Sequence, residues 1–229
     1  MPDPTRIDAV PRAFSALLDP DDEVRSWAQA RQRDTIDRVR LLADRQRGLW
    51  LAGRDDSGAF ADRHLEREWR SAVAAMAKAE RRTLQGAAAD FYMPSARTAR
   101  SEACALLFLR WEAERPEDWR RLSLWSPWGT KKQILAAFRR VPLSVESRPV
   151  LVEVLISAAA RVHRCEDRGY ARLVRDLDGP HLREGLTKVA SNGSQPGRQR
   201  AGYLLALLDH PSTPATVYSW RSFQSNGLP

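Results

Sequence analysis

The segment at positions 119–140, WRRLSLWSPWGTKKQILAAFRR, brings together the residue types that bind a polyanion. It holds six cationic side chains, three tryptophans and no acid. Cations neutralise phosphates, and flat rings stack on bases. The segment therefore predicts a nucleic-acid-binding surface made of Arg120, Arg121, Trp125, Trp128, Lys131, Lys132, Arg139 and Arg140.

A helix is expected to display part of this charge. Thr130 and Gln133 form a T-x-x-Q capping box, which predicts a helix beginning there. The apolar stripe of that helix is Ile134, Phe138 and Val141. We expect the opposite side to present Lys131, Lys132, Arg139 and Arg140. The rings of Trp125 and Trp128 flank Pro127 in a predicted loop. The alternative is an ordinary amphipathic helix with its tryptophans in the core, where tryptophan usually lies.

Three other clusters raise catalytic or metal chemistry. Residues 163–167, HRCED, contain a Cys and a His, but side chains two apart on a helix diverge, so a helix end with one buried thiol is favoured over a catalytic pair. His64 and Glu68 have metal-ligand spacing, yet no second helix completes a site. The acids Asp55, Asp56 and Asp62 lack the second motif of a diphosphate–magnesium site. Catalytic residues thus stay unknown, and no metal site or cofactor is predicted.

Arginine dominates the charge of the chain. The 229 residues carry a formal net charge of +8, and lysine supplies only four of the 37 cations. Guanidinium groups suit phosphate and carboxylate recognition, which predicts nucleic acid or an acidic protein as the partner. The other explanation for the arginine excess is a genome composition that favours arginine codons.

Location is predicted from apolar segments and cysteines. No apolar run approaches the ~20 residues of a membrane span, and positions 1–12 lack the apolar core of a signal peptide. Cys104 and Cys165 stand alone in apolar helical patterns, as reduced buried thiols do. We therefore expect a cytoplasmic protein that does not interact with membranes.

Helical patterns with caps and proline stops run through the whole chain, which predicts an all-α fold. Long helices are expected at 19–51, 59–85 and 95–116, the second with the stripe Leu65, Trp69, Val73 and Met76. Shorter helices are expected at 148–164, 166–177, 180–191, 196–208 and from 214 onward. This division predicts a long-helix region at 1–142 and a short-helix region at 143–229, or one continuous domain.

Residues 182–211, LREGLTKVASNGSQPGRQRAGYLLALLDHP, join two helices through a polar turn, and residues 17–28, LLDPDDEVRSWA, show a similar turn and second helix. These segments resemble HEAT-like α-solenoid repeats over about a third of the chain. The resemblance implies stacked helix pairs, especially in the C-terminal half, with an extended binding surface. Positions 53–142 show no such period, so an irregular helical domain is the competing arrangement.

Three functions fit these features. The first is a helical binding protein with a basic surface for nucleic acid or another polyanion. The second is a protein–protein adaptor. The third is an enzyme, because HEAT-like DNA glycosylases for alkylated bases are similar in size, helical and basic. Their paired tryptophan with nearby aspartates is only loosely similar to WSPW at 125–128, which no acid follows, so the resemblance implies no catalytic residue.

Overall fold

The structure, a computed structural model, describes residues 11–54, 58–162 and 167–226. Of these residues 78% are helical, and no strand occurs among them beyond an isolated antiparallel bridge between Arg54 and Phe60. The helical share of an average globular protein is about a third. The all-α prediction is therefore confirmed.

Twelve α-helices occur in the described ranges. They are α1 (Arg12–Ser15), α2 (Asp22–Gly53), α3 (Arg63–Glu80), α4 (Leu84–Ala89), α5 (Ala99–Glu114), α6 (Pro116–Arg121), α7 (Pro127–Phe138), α8 (Ser147–Ala160), α9 (Asp167–Leu173), α10 (Pro180–Asn192), α11 (Gln195–Asp209) and α12 (Val217–Asn226). Short 3₁₀ turns lie at Ala16–Leu18, Asp90–Tyr92 and Val174–Leu177. The predicted C-terminal helices begin within three residues of the observed ones. No helix in the described segments is both long enough and apolar enough to cross a bilayer.

The long helices begin later than predicted. Asp21, not Asp19, caps α2, with its carboxylate accepting hydrogen bonds from the backbone N–H groups of Glu23 and Val24. Thr98, not Ser95, caps α5 through a reciprocal capping box with Ser101. Near the N-terminus of each helix, the sequence offers several residues that could act as the cap. Only one of them can place its side-chain oxygen at the N–H groups of the first turn, and the sequence alone does not show which one.

The predicted helix at 59–85 is wrong at its C-terminal end, because the chain turns after Glu80 and starts again as α4. The Thr83 hydroxyl accepts a hydrogen bond from the Gly86 N–H at 3.0 Å and caps the new helix. A Cβ at Gly86 would lie 2.1 Å from the carbonyl oxygen of Glu80, so this turn requires glycine. The break directs α4 against α5 instead of along α2.

Helices α2 and α3 pack together as a hairpin whose connecting end is stabilised by aromatic rings. The Trp69 ring lies 5.3 Å from that of Trp50 and 5.5 Å from that of Phe60, measured between centroids. The Arg54 guanidinium lies 3.3 Å from the Trp50 centroid, a cation–π contact. The predicted stripe on α3 is only half-buried, because α2 covers it from one side.

Helix α5 lies at the centre of the core. It packs against α4, α6, α7 and α8, and its Cys104, Phe108 and Trp111 are fully buried. Burial raises the pKa of the Cys104 thiol to about 11, which keeps it protonated and unreactive at neutral pH. One hydrophobic cluster includes both Phe138 and Leu151, which lie on opposite sides of the predicted 142/143 boundary.

Helices α10 and α11 form a pair that packs on α8. Two residues, Gly193 and Ser194, join them, and Ser194 caps α11 through the Gly197 N–H. Helix pairing is thus present in the segment that resembles a HEAT-like unit. Whether this pair belongs to a repeat of that kind stays a prediction.

Replacement of Trp69 by alanine should lower the free energy of unfolding by roughly 3 kcal/mol, because it empties the centre of the aromatic cluster. Trp27→Ala is the matched control. The Trp27 side chain is 51% exposed, so its loss should cost about 1 kcal/mol or less. Urea denaturation of both variants tests this. Equal stability losses would show that the cluster does not hold the hairpin together.

Candidate functional site

Helix α7 begins three residues earlier than the predicted capping box. Pro127 occupies its first position, where a missing N–H costs nothing and the fixed φ suits a helix. Thr130 is therefore inside the helix; its hydroxyl donates to the Ser126 carbonyl at 3.3 Å and accepts from Gln85 Nε2 at 3.0 Å. Trp128 consequently lies in the first turn of α7, not in a loop.

The two predicted stacking tryptophans are solvent-accessible to different degrees. Trp125 is 58% exposed and Trp128 is 40% exposed. The Trp128 ring also packs on the buried Trp119, with 4.6 Å between centroids. Trp125 is thus the better of the two rings for contact with an external ligand.

Arg120 and Arg121 are exposed but paired with acids on α6. Arg120 Nη2 lies 2.6 Å from Glu117, and Arg121 Nη2 lies 3.0 Å from Asp118. Such surface pairs contribute little to stability, but they neutralise local positive potential. These two arginines are therefore weaker candidates for phosphate binding than the sequence indicated.

The prediction that Lys131 faces solvent is wrong. Its side chain is fully buried, and its Nζ lies 2.8 Å from Glu112 Oε2 on α5. The same oxygen lies 3.0 Å from Nη1 of Arg161, whose side chain is also buried. Position 131 is three residues before Ile134 and seven before Phe138, so it belongs to the buried stripe of α7. We call Glu112, Lys131 and Arg161 the buried ion cluster.

A cleft of about 770 Å³ opens next to the buried stripe of α7, bounded by α7, α8, α9, α11 and α12. Its described lining contains no acid. The cationic lining residues are Lys132, Arg139, Arg168, Arg172 and Arg200. The aromatic ones are Tyr170, Tyr203 and Trp220, above an apolar floor that includes Leu135, Leu155 and Leu204. We call this feature the basic cleft.

The cations of the basic cleft differ in their partners. Lys132, Arg168 and Arg172 are exposed and have no ion pair with any described residue. Arg139 lies 3.9 Å from Asp176, a long and half-exposed contact. Arg200 is buried, and its Nε donates to the Ala159 carbonyl at 3.1 Å. Among the described residues, three cations of the cleft thus have no ion pair, Arg139 has a distant one, and Arg200 is held in the wall.

Two rings of the cleft are fixed by neighbours. The Tyr203 hydroxyl lies 2.8 Å from Ser219 Oγ, and its ring meets Trp220 edge to face at 5.1 Å. Tyr170 connects the cleft to the buried ion cluster, because Lys131 Nζ lies 4.9 Å from its ring centroid. The cleft walls are therefore held by interactions that do not require a ligand.

Sequence reasoning identified Lys132 and Arg139 and missed Arg168, Arg172 and Arg200. A signal was present for two of these, because positions 168 and 172 are four apart and share one face of α9. Nothing local predicted that this face would meet α7. The exposed Arg140 is not among the described lining residues.

The other clusters considered in the sequence provide no catalytic or metal geometry in the described ranges. His64 Nε2 lies 3.6 Å from Glu68, both exposed, and Asp62 serves as the cap of α3. No group of three or more potential metal ligands comes together among the described residues. Asp55, Asp56 and the side chains of residues 163–167 lie outside what the structure describes.

No family model matches this chain, and no curated protein or solved structure matches it either. The case for a function therefore depends on the chemistry of the basic cleft and the exposed residues around it.

Lys131→Met should destabilise the protein by about 3 kcal/mol, because it removes one cation from a buried ion cluster. Lys132→Met, the same change at the adjacent exposed position, should alter stability by about 0.5 kcal/mol or less. Thermal and urea unfolding measure both. If the two variants unfold alike, Lys131 does not have the structural role assigned to it.

Proposed function

We propose that this protein binds nucleic acid through the basic cleft and the exposed cations and rings beside it. One observation carries the proposal: Lys132, Arg168 and Arg172 converge on one cleft without an acid partner among the described residues. Three unneutralised cations at one place attract phosphates, whereas arginines paired within their own helix do not.

Aromatic rings favour nucleic acid over an acidic protein as the polyanion. Tyr203 and Trp220 line the same cleft as the cations, and Trp125 is exposed on the segment that precedes α7. Base–aromatic stacking tolerates any sequence and requires unpaired bases. The preferred ligand is therefore single-stranded DNA or RNA, with the exposed Arg140 adding to the same electrostatic field.

A cytoplasmic location is part of this proposal. It is supported by Cys104, which is a free cysteine, because cysteines of proteins in oxidising compartments commonly form disulfides. The protein–protein adaptor is the competing function, and it would use the helical surface without dependence on the cleft cations.

The triple variant Lys132→Gln, Arg168→Gln, Arg172→Gln should bind single strands more weakly and with a shallower salt dependence. For single strands, each phosphate contact contributes roughly 0.7 to the slope of log affinity against log salt concentration. If each of the three side chains contacts one phosphate, the magnitude of this slope should therefore fall by about 2. Fluorescence anisotropy with labelled oligo-dT and oligo-U over a salt series measures this. Melting temperature should stay unchanged, since all three side chains are exposed.

The matched control is Arg33→Gln, Arg45→Gln, Arg47→Gln on α2. These exposed arginines also lack a described ion-pair partner, and none lines the cleft. The two triple variants lose the same charge, so an equal loss of affinity would mean that net charge, not the cleft, binds the strand. Absence of salt-dependent affinity of the wild-type protein for any DNA or RNA would reject the function and leave the adaptor.

A further inference from the structure

The basic cleft has the form of a small-molecule pocket as well as that of a charged surface. Its volume of about 770 Å³ falls within the range of roughly 300–1,000 Å³ typical of ligand pockets. We propose that the cleft holds one nucleotide, with its phosphate between α7 and α9 and its base against Trp220, beside the buried Tyr203. This inference rests on the proposed function only in requiring a phosphate-bearing ligand.

The phosphate end is formed where α9 packs closely on α7. A Cβ at Gly169 would lie 2.5 Å from Leu135 Cδ1, so glycine permits this close approach. The close packing places Arg168 and Arg172 of α9 around the same cleft as Lys132 of α7. Guanidinium groups bind phosphate oxygens in pairs of hydrogen bonds, and an ammonium adds a point charge.

The base end is formed by rings that are already oriented. Ser219 Oγ contacts the Tyr203 hydroxyl, donates to the Pro214 carbonyl at 2.6 Å and accepts from the Thr216 N–H at 3.1 Å. This hydrogen-bond network joins α11, α12 and the segment between them. A base entering the cleft meets the half-buried Trp220 ring, which the buried Tyr203 ring already holds in place, and this lowers the entropic cost of binding.

Arg200 is part of the structure of the cleft wall. It lines the cleft beside Leu155, Ala158 and Leu204. Its Nε bond to the Ala159 carbonyl fixes the side chain in place.

A nucleotide differs from simpler phosphates in the parts of the cleft that it can contact. Inorganic phosphate or ribose 5-phosphate can use the cations but leaves the rings and the apolar floor uncovered. Adenosine can use the rings but leaves the cations without a partner. Only a ligand with both parts contacts both ends of the cleft.

Isothermal titration calorimetry with adenosine 5′-monophosphate tests the inference, using adenosine, ribose 5-phosphate and inorganic phosphate as comparison ligands. We expect saturable binding of the monophosphate, at least about tenfold tighter than each comparison ligand, the equivalent of about 1.4 kcal/mol. Ala136→Phe should abolish this binding, because Ala136 lines the cleft and a phenyl ring would occupy it. Ala74→Phe, at an exposed position of α3, should have no effect.

A second variant tests the inference without introducing a large side chain, so its result does not depend on whether the protein folds with phenylalanine at position 136. Arg168→Gln with Arg172→Gln changes only exposed side chains and should weaken monophosphate binding about tenfold or more, as loss of charged contacts does. Monophosphate binding that survives both variants would place the ligand elsewhere and overturn the inference. Equal affinity for inorganic phosphate would also overturn it.

Comparison with the oligonucleotide experiment shows whether the nucleotide pocket or the proposed strand binding is wrong. If oligo-dT or oligo-U binds with salt dependence while the monophosphate does not bind, the nucleotide pocket is rejected and strand binding stands. If the monophosphate binds and no strand does, strand binding is rejected and the pocket stands.

Discussion

The arrangement of the central helices depends on the ion pairs that the buried carboxylate of Glu112 forms. One of its oxygens lies within 3.0 Å of both Lys131 on α7 and Arg161 at the end of α8. Ions of this kind are costly to bury, and removing one member leaves an uncompensated charge in the core. Native-like packing of α5, α7 and α8 therefore requires all three charges to meet, which fixes how α7 is rotated about its own axis.

That rotation determines which residues of α7 reach the surface. With Lys131 directed at Glu112, the neighbouring Lys132 and Ala136 face the basic cleft. Tyr170 on α9 packs its ring over the Lys131 ammonium from one side and lines the cleft from the other. The core and the cleft wall are thus joined through two side chains in direct contact, Lys131 and Tyr170.

Sequence patterns predicted the features that depend on neighbours along the chain. Apolar spacing and proline stops gave the fold class and the approximate starts of the C-terminal helices. They failed where contacts within the folded chain determine the structure. Lys131 is buried because an acid 19 residues earlier in the sequence lies opposite it. The turn after Glu80 depends on the close backbone contact at Gly86. Lys131 also shows that a charged residue can belong to a buried helix face. Its spacing from Ile134 and Phe138 indicated this position, but a lysine is normally expected at the surface.

The basic cleft was beyond local prediction because its lining comes from five helices. An arginine-rich genome accounts for the number of arginines but not for their placement. Many exposed arginines are neutralised within one turn of their own helix, as Arg70 and Arg110 are by acids four residues away. Lys132, Arg168 and Arg172 have no such partner among the described residues, and they meet in one cleft beside aromatic rings, whereas the arginines of α2 without a described partner lie outside it. Like charges repel one another, so the grouping of these three cations in one cleft is the feature that an excess of arginine alone does not explain.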